Sequence, residues 1–216
     1  GRITESIKIE PMNYYAIQLG AFNGIENAKI LAQDIKQKGG AGYIIEDEYF
    51  RVLAMAYTNE TDCLSVKEQL KEQGVESQTY RIVSSGVNME VTATKDKIEG
   101  IRSSFNTWKE KAALLENIIR ELDTNKITGE ISLNRLREIR EEMAIQCNKI
   151  GEYIETNEGN KILLELQKLY EGEINSLDQI LQMNMNDRLA ISSNMKYNYI
   201  DMIYQFNKYI EKIIGA

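Results

Sequence analysis

YAIQLGAFNGIENAKILAQDIKQKG, residues 15–39, is repeated in layout by FRVLAMAYTNETDCLSVKEQLKEQG, residues 50–74. Tyr15 falls on Phe50, Ile17 on Val52, Leu19 on Ala54, Phe22 on Tyr57, Leu31 on Val66, Ile35 on Leu70 and Gly39 on Gly74. Each copy holds an alternating run, an aromatic at the turn, a helical run closed by glycine, and a second alternating run. Two such units in tandem predict a β-α-β-β-α-β sandwich over residues 13–83.

Within the first copy Tyr15, Ile17 and Leu19 alternate with Ala16, Gln18 and Gly20, so the strand has one apolar and one more polar face. The following helix presents Ile25, Ala28, Leu31, Ala32 and Ile35 at spacings of three and four, and stops at Gly39-Gly40. Gly42–Glu46 reads as the second strand, Asp47-Glu48 as a turn, and Tyr49–Ala56 as the third strand. Asn59 or Thr61 is the candidate cap of the second helix, which stops at Gly74, and Ser77–Val83 supplies the fourth strand.

If both helices pack on the face bearing Tyr15, Ile17, Leu19, Phe50, Val52 and Ala54, the other face is left open. That face is expected to carry Gln18, Gly20, Tyr49, Arg51 and Leu53, with Gln78 and Tyr80 beside them. An aromatic ring stacks on the apolar side of a sugar, while amide and guanidinium groups bond its hydroxyl and acetamido groups. Such a face suits a carbohydrate.

These residues resemble the SPOR (sporulation-related repeat) domain of bacterial envelope proteins. The resemblance lies in Tyr15–Phe22, Asn27-Ala28, the Gly39-Gly40 close, and the second pass from Tyr49 to Tyr57 with Gly74. The family's Gln-x-Gly-x-Phe motif is matched by Gln18-Leu19-Gly20-Ala21-Phe22. The resemblance implies a ferredoxin-like α+β fold and binding to glycan strands of septal peptidoglycan that have lost their stem peptides. It also implies an extracytoplasmic place in the envelope of a dividing or sporulating cell. A membrane anchor in a segment outside this sequence is part of that expectation. The resemblance implies glycan contacts at Gln18, Ala21, Tyr49 and Arg51, and the open-face reading adds Gly20, Gln78 and Tyr80 to the candidate glycan-binding residues. Ala21 departs from the serine often found there, which removes one hydroxyl. Met55-Ala56-Tyr57 replaces a frequent Gly-Pro-Phe ending.

From Ile98 onward the apolar spacing is helical throughout. Four stripes, running from Ile98 to Leu122, Leu133 to Ile154, Ile162 to Leu181 and Leu189 to Ile213, predict an antiparallel four-helix bundle over residues 98–216. Turn-like breaks fall near 123–131, 157–160 and 184–187, and the last stripe is irregular at Ser192-Ser193-Asn194. Residues 1–12 read as an N-terminal extension and 84–97 as a linker or an extra edge strand. The sheet is expected to close on itself, so that the two halves separate. Tyr197, Tyr199, Tyr204 and Tyr209 spread round the last helix, either half-buried at the bundle edge or forming a surface for a protein partner or a second copy.

Composition narrows the function. The net charge is −7 and no element collects positive charge, which argues against nucleic acid. Histidine is absent, removing His-based triads and His-containing metal sites, and the Glu138, Glu141 and Glu142 group lacks the Glu-x-x-His pattern of a di-iron site. Cys63 and Cys147 read as buried small hydrophobes, and Trp108 as core. No catalytic residue, metal ligand or cofactor is assigned. The chain reads as a non-catalytic binding and localisation module. The alternative is a structural module whose open sheet and bundle both bind protein.

Overall fold

The computed structural model describes residues 1–155 and 161–215, and it realises the repeat as two interleaved β-α-β units. The first is β2 (Met12–Phe22), α1 (Ile25–Gln37) and β3 (Tyr43–Glu46). The second is β4 (Phe50–Tyr57), α2 (Glu60–Glu72) and β5 (Gln78–Ser84). They form one antiparallel sheet in the order β3-β4-β2-β5, with the leading strand of each unit at the centre. Both helices end alike. Gly40 N–H donates to the Ile35 carbonyl at 2.9 Å, and 35 residues later Val75 N–H donates to Leu70 at 2.8 Å. The preceding Gly39 and Gly74 take φ of 91° and 80°, the left-handed conformation this cap requires. Asn59 is the cap of α2, its side chain accepting from Thr61 N–H at 2.7 Å.

Helix α1 seats Ala28, Leu31, Ala32 and Ile35 on Leu19, Phe22, Phe50, Val52 and Ala54, the face expected for it. Residues 1–12 and 84–97 do not hang free. β1 (Arg2–Ile9) and β6 (Val87–Thr94) pair antiparallel from Arg2↔Thr94 to Ile9↔Val87 as a separate two-stranded ribbon. Val87–Thr94 is therefore a strand, but β1 is its partner rather than the edge of the larger sheet. The ribbon lies on the first bundle helix, with Ile7, Ile9, Val87 and Ala93 buried.

The bundle comprises α3 (Lys95–Asp123), α4 (Gly129–Glu155), α5 (Lys161–Leu181) and α6 (Arg188–Gly215), each packed on the next and α6 back on α3. Its core holds Trp108, whose indole N–H donates to the Met202 carbonyl at 3.2 Å and whose ring meets Tyr170 edge-on. The break expected at 157–160 lies outside the described residues.

One expectation is overturned. The second sheet face is not open, because α6 lies across it. Tyr43 packs edge-on against Tyr197 and Tyr204, with centroids at 4.9 and 6.1 Å. Tyr43, Ile45, Leu53 and Ile82 are buried there in one apolar cluster with the bundle. Uncovering these four side chains would cost about 6–12 kcal/mol, at ~1.5–3 kcal/mol for each large apolar side chain. That is comparable to the whole stability of an ordinary domain, about 5–15 kcal/mol. The bundle is thus a fixed part of the sheet's fold, and the two halves share one core. The polar break at Ser192-Ser193 is where α6 docks: Ser193 Oγ donates to the Gly40 carbonyl at 2.8 Å, and Lys196 Nζ to the Gly39 carbonyl at 2.9 Å. The same lysine pairs with Asp123 at 2.7 Å, and Ser192 Oγ donates to that carboxylate at 2.6 Å.

Candidate functional site

Helix α6 leaves one end of the covered face clear, where β4, β2 and β5 bring most of the expected residues together. Register sets this. Gln18 lies opposite Leu53 on one side and Gln78 on the other, Ala16 opposite Tyr80, and Ala21 opposite Arg51. Directly opposed residues project from the same face.

The Arg51 guanidinium is the centre of the cluster. It lies between two rings, 5.4 Å from the Tyr49 centroid and 5.4 Å from that of Tyr80. Its Nε donates to both oxygens of Asp47 at 3.0 and 2.8 Å, and its Nη1 donates to Gln18 Oε1 at 3.1 Å. Glu48 lies 3.6 Å from its other terminal nitrogen. Asp47 in turn accepts from Tyr49 N–H at 2.9 Å, so the turn that opens β4 also builds the anion that holds Arg51. This amide, and then Arg51, hold the Asp47 carboxyl below its ordinary value. Its hydrogen bonds to Arg51 raise the arginine's affinity for its proton further. Burial, then the Asp47 charge, push the Tyr80 phenol up.

The seven expected residues divide by accessibility. Tyr49 is 42 % exposed, and Gln78 and Ala21 are also exposed, while Tyr80 is half-buried. The Arg51 side chain keeps 18 % of its surface. Gln18 is only 6 % exposed, and its side-chain carbonyl is engaged by Arg51.

Gly20 lies on the opposite face from the other six. Paired register shifts at Ile17/Gln18 and Gln18/Gly20 form a bulge that turns it toward α1. A Cβ placed there would lie 2.7 Å from the Leu31 side chain. The glycine of the Gln-x-Gly-x-Phe run is therefore needed for close helix packing under Phe22.

Among the described residues no group of three or more His, Cys, Asp or Glu could hold a metal ion, and no helix is long and apolar enough to cross a membrane. Cys63 and Cys147 are buried free thiols, and burial pushes both up. Among the described residues, Glu173 is buried in the bundle away from the cluster, where burial pushes its carboxyl well up.

Comparison with curated proteins returns no match to the chain, and comparison with solved structures returns none. The model of one family, described as the SPOR domain, matches residues 11–81, roughly one third of the sequence. SPOR domains are non-catalytic and typically extracytoplasmic. The match spans the four-stranded sheet and its two helices and stops short of the bundle, which no family model covers. The chain thus carries an N-terminal SPOR domain, a non-catalytic module associated with peptidoglycan, joined to a helical bundle outside that family.

Proposed function

We propose that the chain binds peptidoglycan glycan strands stripped of their stem peptides, and so localises an envelope protein to the septum of a dividing or sporulating cell. The observation that carries this reading is the Arg51 guanidinium held between the Tyr49 and Tyr80 rings, with Gln78 and Ala21 exposed beside it. The exposed ring of Tyr49 offers a stacking surface for a pyranose. The Gln78 amide and the Arg51 N–H groups not taken by Asp47 or Gln18 offer donors to hydroxyl and acetamido oxygens.

The preference for stripped strands follows from charge and space. Glu46, Asp47 and Glu48 stand exposed at the rim, and Arg51 is already neutralised by Asp47. The chain as a whole carries −7. Stem peptides bring carboxylates, which such a rim repels. The clear end of the face is also short, because α6 occupies the rest. A membrane anchor in a segment outside this sequence belongs to the same reading.

The alternative, a sheet that pairs with another protein, has lost its surface, since the aliphatic part of the face is buried under α6. A protein partner or a second copy would engage the outer bundle. Retention on purified sacculi, before and after an amidase has removed the stem peptides, tests the proposal. Strong retention on stripped material and weak retention on intact wall are expected. Equal retention on both, or none on either, would refute it.

A further inference from the structure

Helix α6 does more at the sheet than cover its aliphatic half. Where its last turns pass the Arg51 cluster they leave a cleft of about 210 Å³, lined by Asp47 and Tyr80 from the sheet and by Tyr204, Asn207, Lys208 and Glu211 from the helix. The cleft is continuous with the candidate site, since Asp47 holds Arg51 and Tyr80 stacks beneath it. Asn207 is 6 % exposed, and its side-chain oxygen has no hydrogen-bond partner among the described residues. A buried amide oxygen in that state is costly unless a donor reaches it.

We propose that α6 forms the second wall of the saccharide site, with Asn207 and Lys208 binding hydroxyl or acetamido groups of one sugar whose ring lies against Tyr80. This rests on the glycan reading given above. Three observations set the ligand's chemistry. Glu46, Asp47 and Glu211 line the cleft against Arg81 and Lys208, and Arg51 engages Asp47 from beside it. No excess of positive charge therefore favours an anionic ligand, and Lys208 and Arg51 each already have a carboxylate near. The buried Asn207 Oδ1 lacks a donor, and a turn of this lining side chain toward the cleft would let a hydroxyl or an acetamido N–H supply one. The volume falls below the roughly 300–1,000 Å³ of a drug-sized pocket. That leaves room for one saccharide unit, with the rest of the strand running out over Tyr49.

Lys208 is already placed for this role, its ammonium 5.3 Å over the Tyr204 ring and 3.6 Å from Glu211. Because α6 is fixed on the sheet by the buried Tyr43 and by Ser193 and Lys196, it serves as a standing wall, and binding does not displace it.

The test uses the whole chain and soluble glycan strands freed of stem peptides. Asn207→Ala and Lys208→Ala are each expected to weaken binding roughly tenfold, the loss of one good hydrogen bond. Lys208 is half exposed, so its variant should keep the wild-type melting temperature even if Asn207→Ala does not. Hydrogen exchange gives an independent reading: saturating glycan should slow exchange in residues 201–211. If Arg51→Ala weakens binding while Lys208→Ala leaves it intact and exchange in 201–211 does not slow, the wall role is overturned and the glycan reading stands. Faster exchange in 201–211 on binding would show α6 to be a lid and overturn the proposal too. If the wild-type chain binds no stripped glycan, both readings fall together.

Discussion

The Tyr43 hydroxyl donates to the Asp201 carboxylate at 2.7 Å, tying a strand of the SPOR domain to the last helix of the bundle. Burial first, then the Asp201 charge, push the phenol up, so the proton stays on Tyr43 at any ordinary pH. Tyr43→Phe keeps the ring contacts with Tyr197 and Tyr204 and removes only this bond. A loss of about 1.5–3 kcal/mol is expected, as for hydrogen bonds to charged partners, read as a lower melting temperature of the full chain. An unchanged melting temperature would mean that the bond adds nothing to the interface.

A shared core makes the chain one cooperative unit. Trp108, the single tryptophan, is buried in the bundle and reports its unfolding by fluorescence, while sheet amides report the SPOR domain by hydrogen exchange. The two midpoints in urea should coincide. Residues 13–83 alone should melt broadly or aggregate, because Tyr43, Ile45, Leu53 and Ile82 become an exposed apolar patch. Separate midpoints, or a cooperative fragment as stable as the whole, would contradict this.

Much of this was readable in the residues. The pairing of Ile17 with Val52 and of Gly39 with Gly74 carries the β-α-β-β-α-β element order, the two caps and the face that receives α1. The Gln18–Gly20 bulge was not readable, since a register shift leaves no mark in alternation alone, and Gly20 was placed on the wrong face for that reason. The cover by α6 was half visible. Tyr197, Tyr199, Tyr204 and Tyr209 spread too widely round the last helix to share one core, and Ser192-Ser193 breaks its stripe. The partner of Tyr197 and Tyr204 is the chain's own sheet, which intrahelical periodicity cannot reveal. Conversely, Leu53 and Ile45 were signals that the second face was too apolar for an open platform.

Glu173 is expected to make the bundle more stable in mild acid. Its carboxyl is buried, one oxygen lacks a partner, and its affinity for the proton is raised well above the ordinary 4.5. A raised carboxyl value means the folded state holds the proton that the unfolded state releases. Stability therefore falls as pH rises above about 4.5, until the folded value is passed. Glu173→Gln should flatten this slope and raise the melting temperature at pH 8 but not at pH 4. A slope that persists in the variant would place its origin elsewhere.

Asp47 has the opposite sign. Its folded value lies below the ordinary 3.8, so its contribution is present above 3.8 and is lost as pH falls through the folded value. Glycan binding should stay level from pH 5 to 7 and decline only in stronger acid, where Arg51 loses its anchor. Asp47→Asn should weaken binding at pH 7 while leaving the fold intact. Binding that falls between pH 7 and 5 would point to a different titrating group.

Arg51→Lys separates charge from shape. Lysine keeps the cation but not the planar group that lies between Tyr49 and Tyr80 while bonding Asp47 and Gln18. It should lose about 1–3 kcal/mol of glycan affinity, nearly as much as Arg51→Ala. Full affinity in the lysine variant would reduce the site to a point charge.

The most direct measurement is NMR mapping of the isotope-labelled chain during titration with soluble glycan strands freed of stem peptides. The account expects shifts centred on the Arg51 Nε–H, the Gln18 and Gln78 side-chain amides, and the backbone of Tyr49 and Tyr80, with the outer faces of α4 and α5 unmoved. Saturable shifts confined to the outer bundle, with the Arg51 Nε–H unchanged, would contradict it.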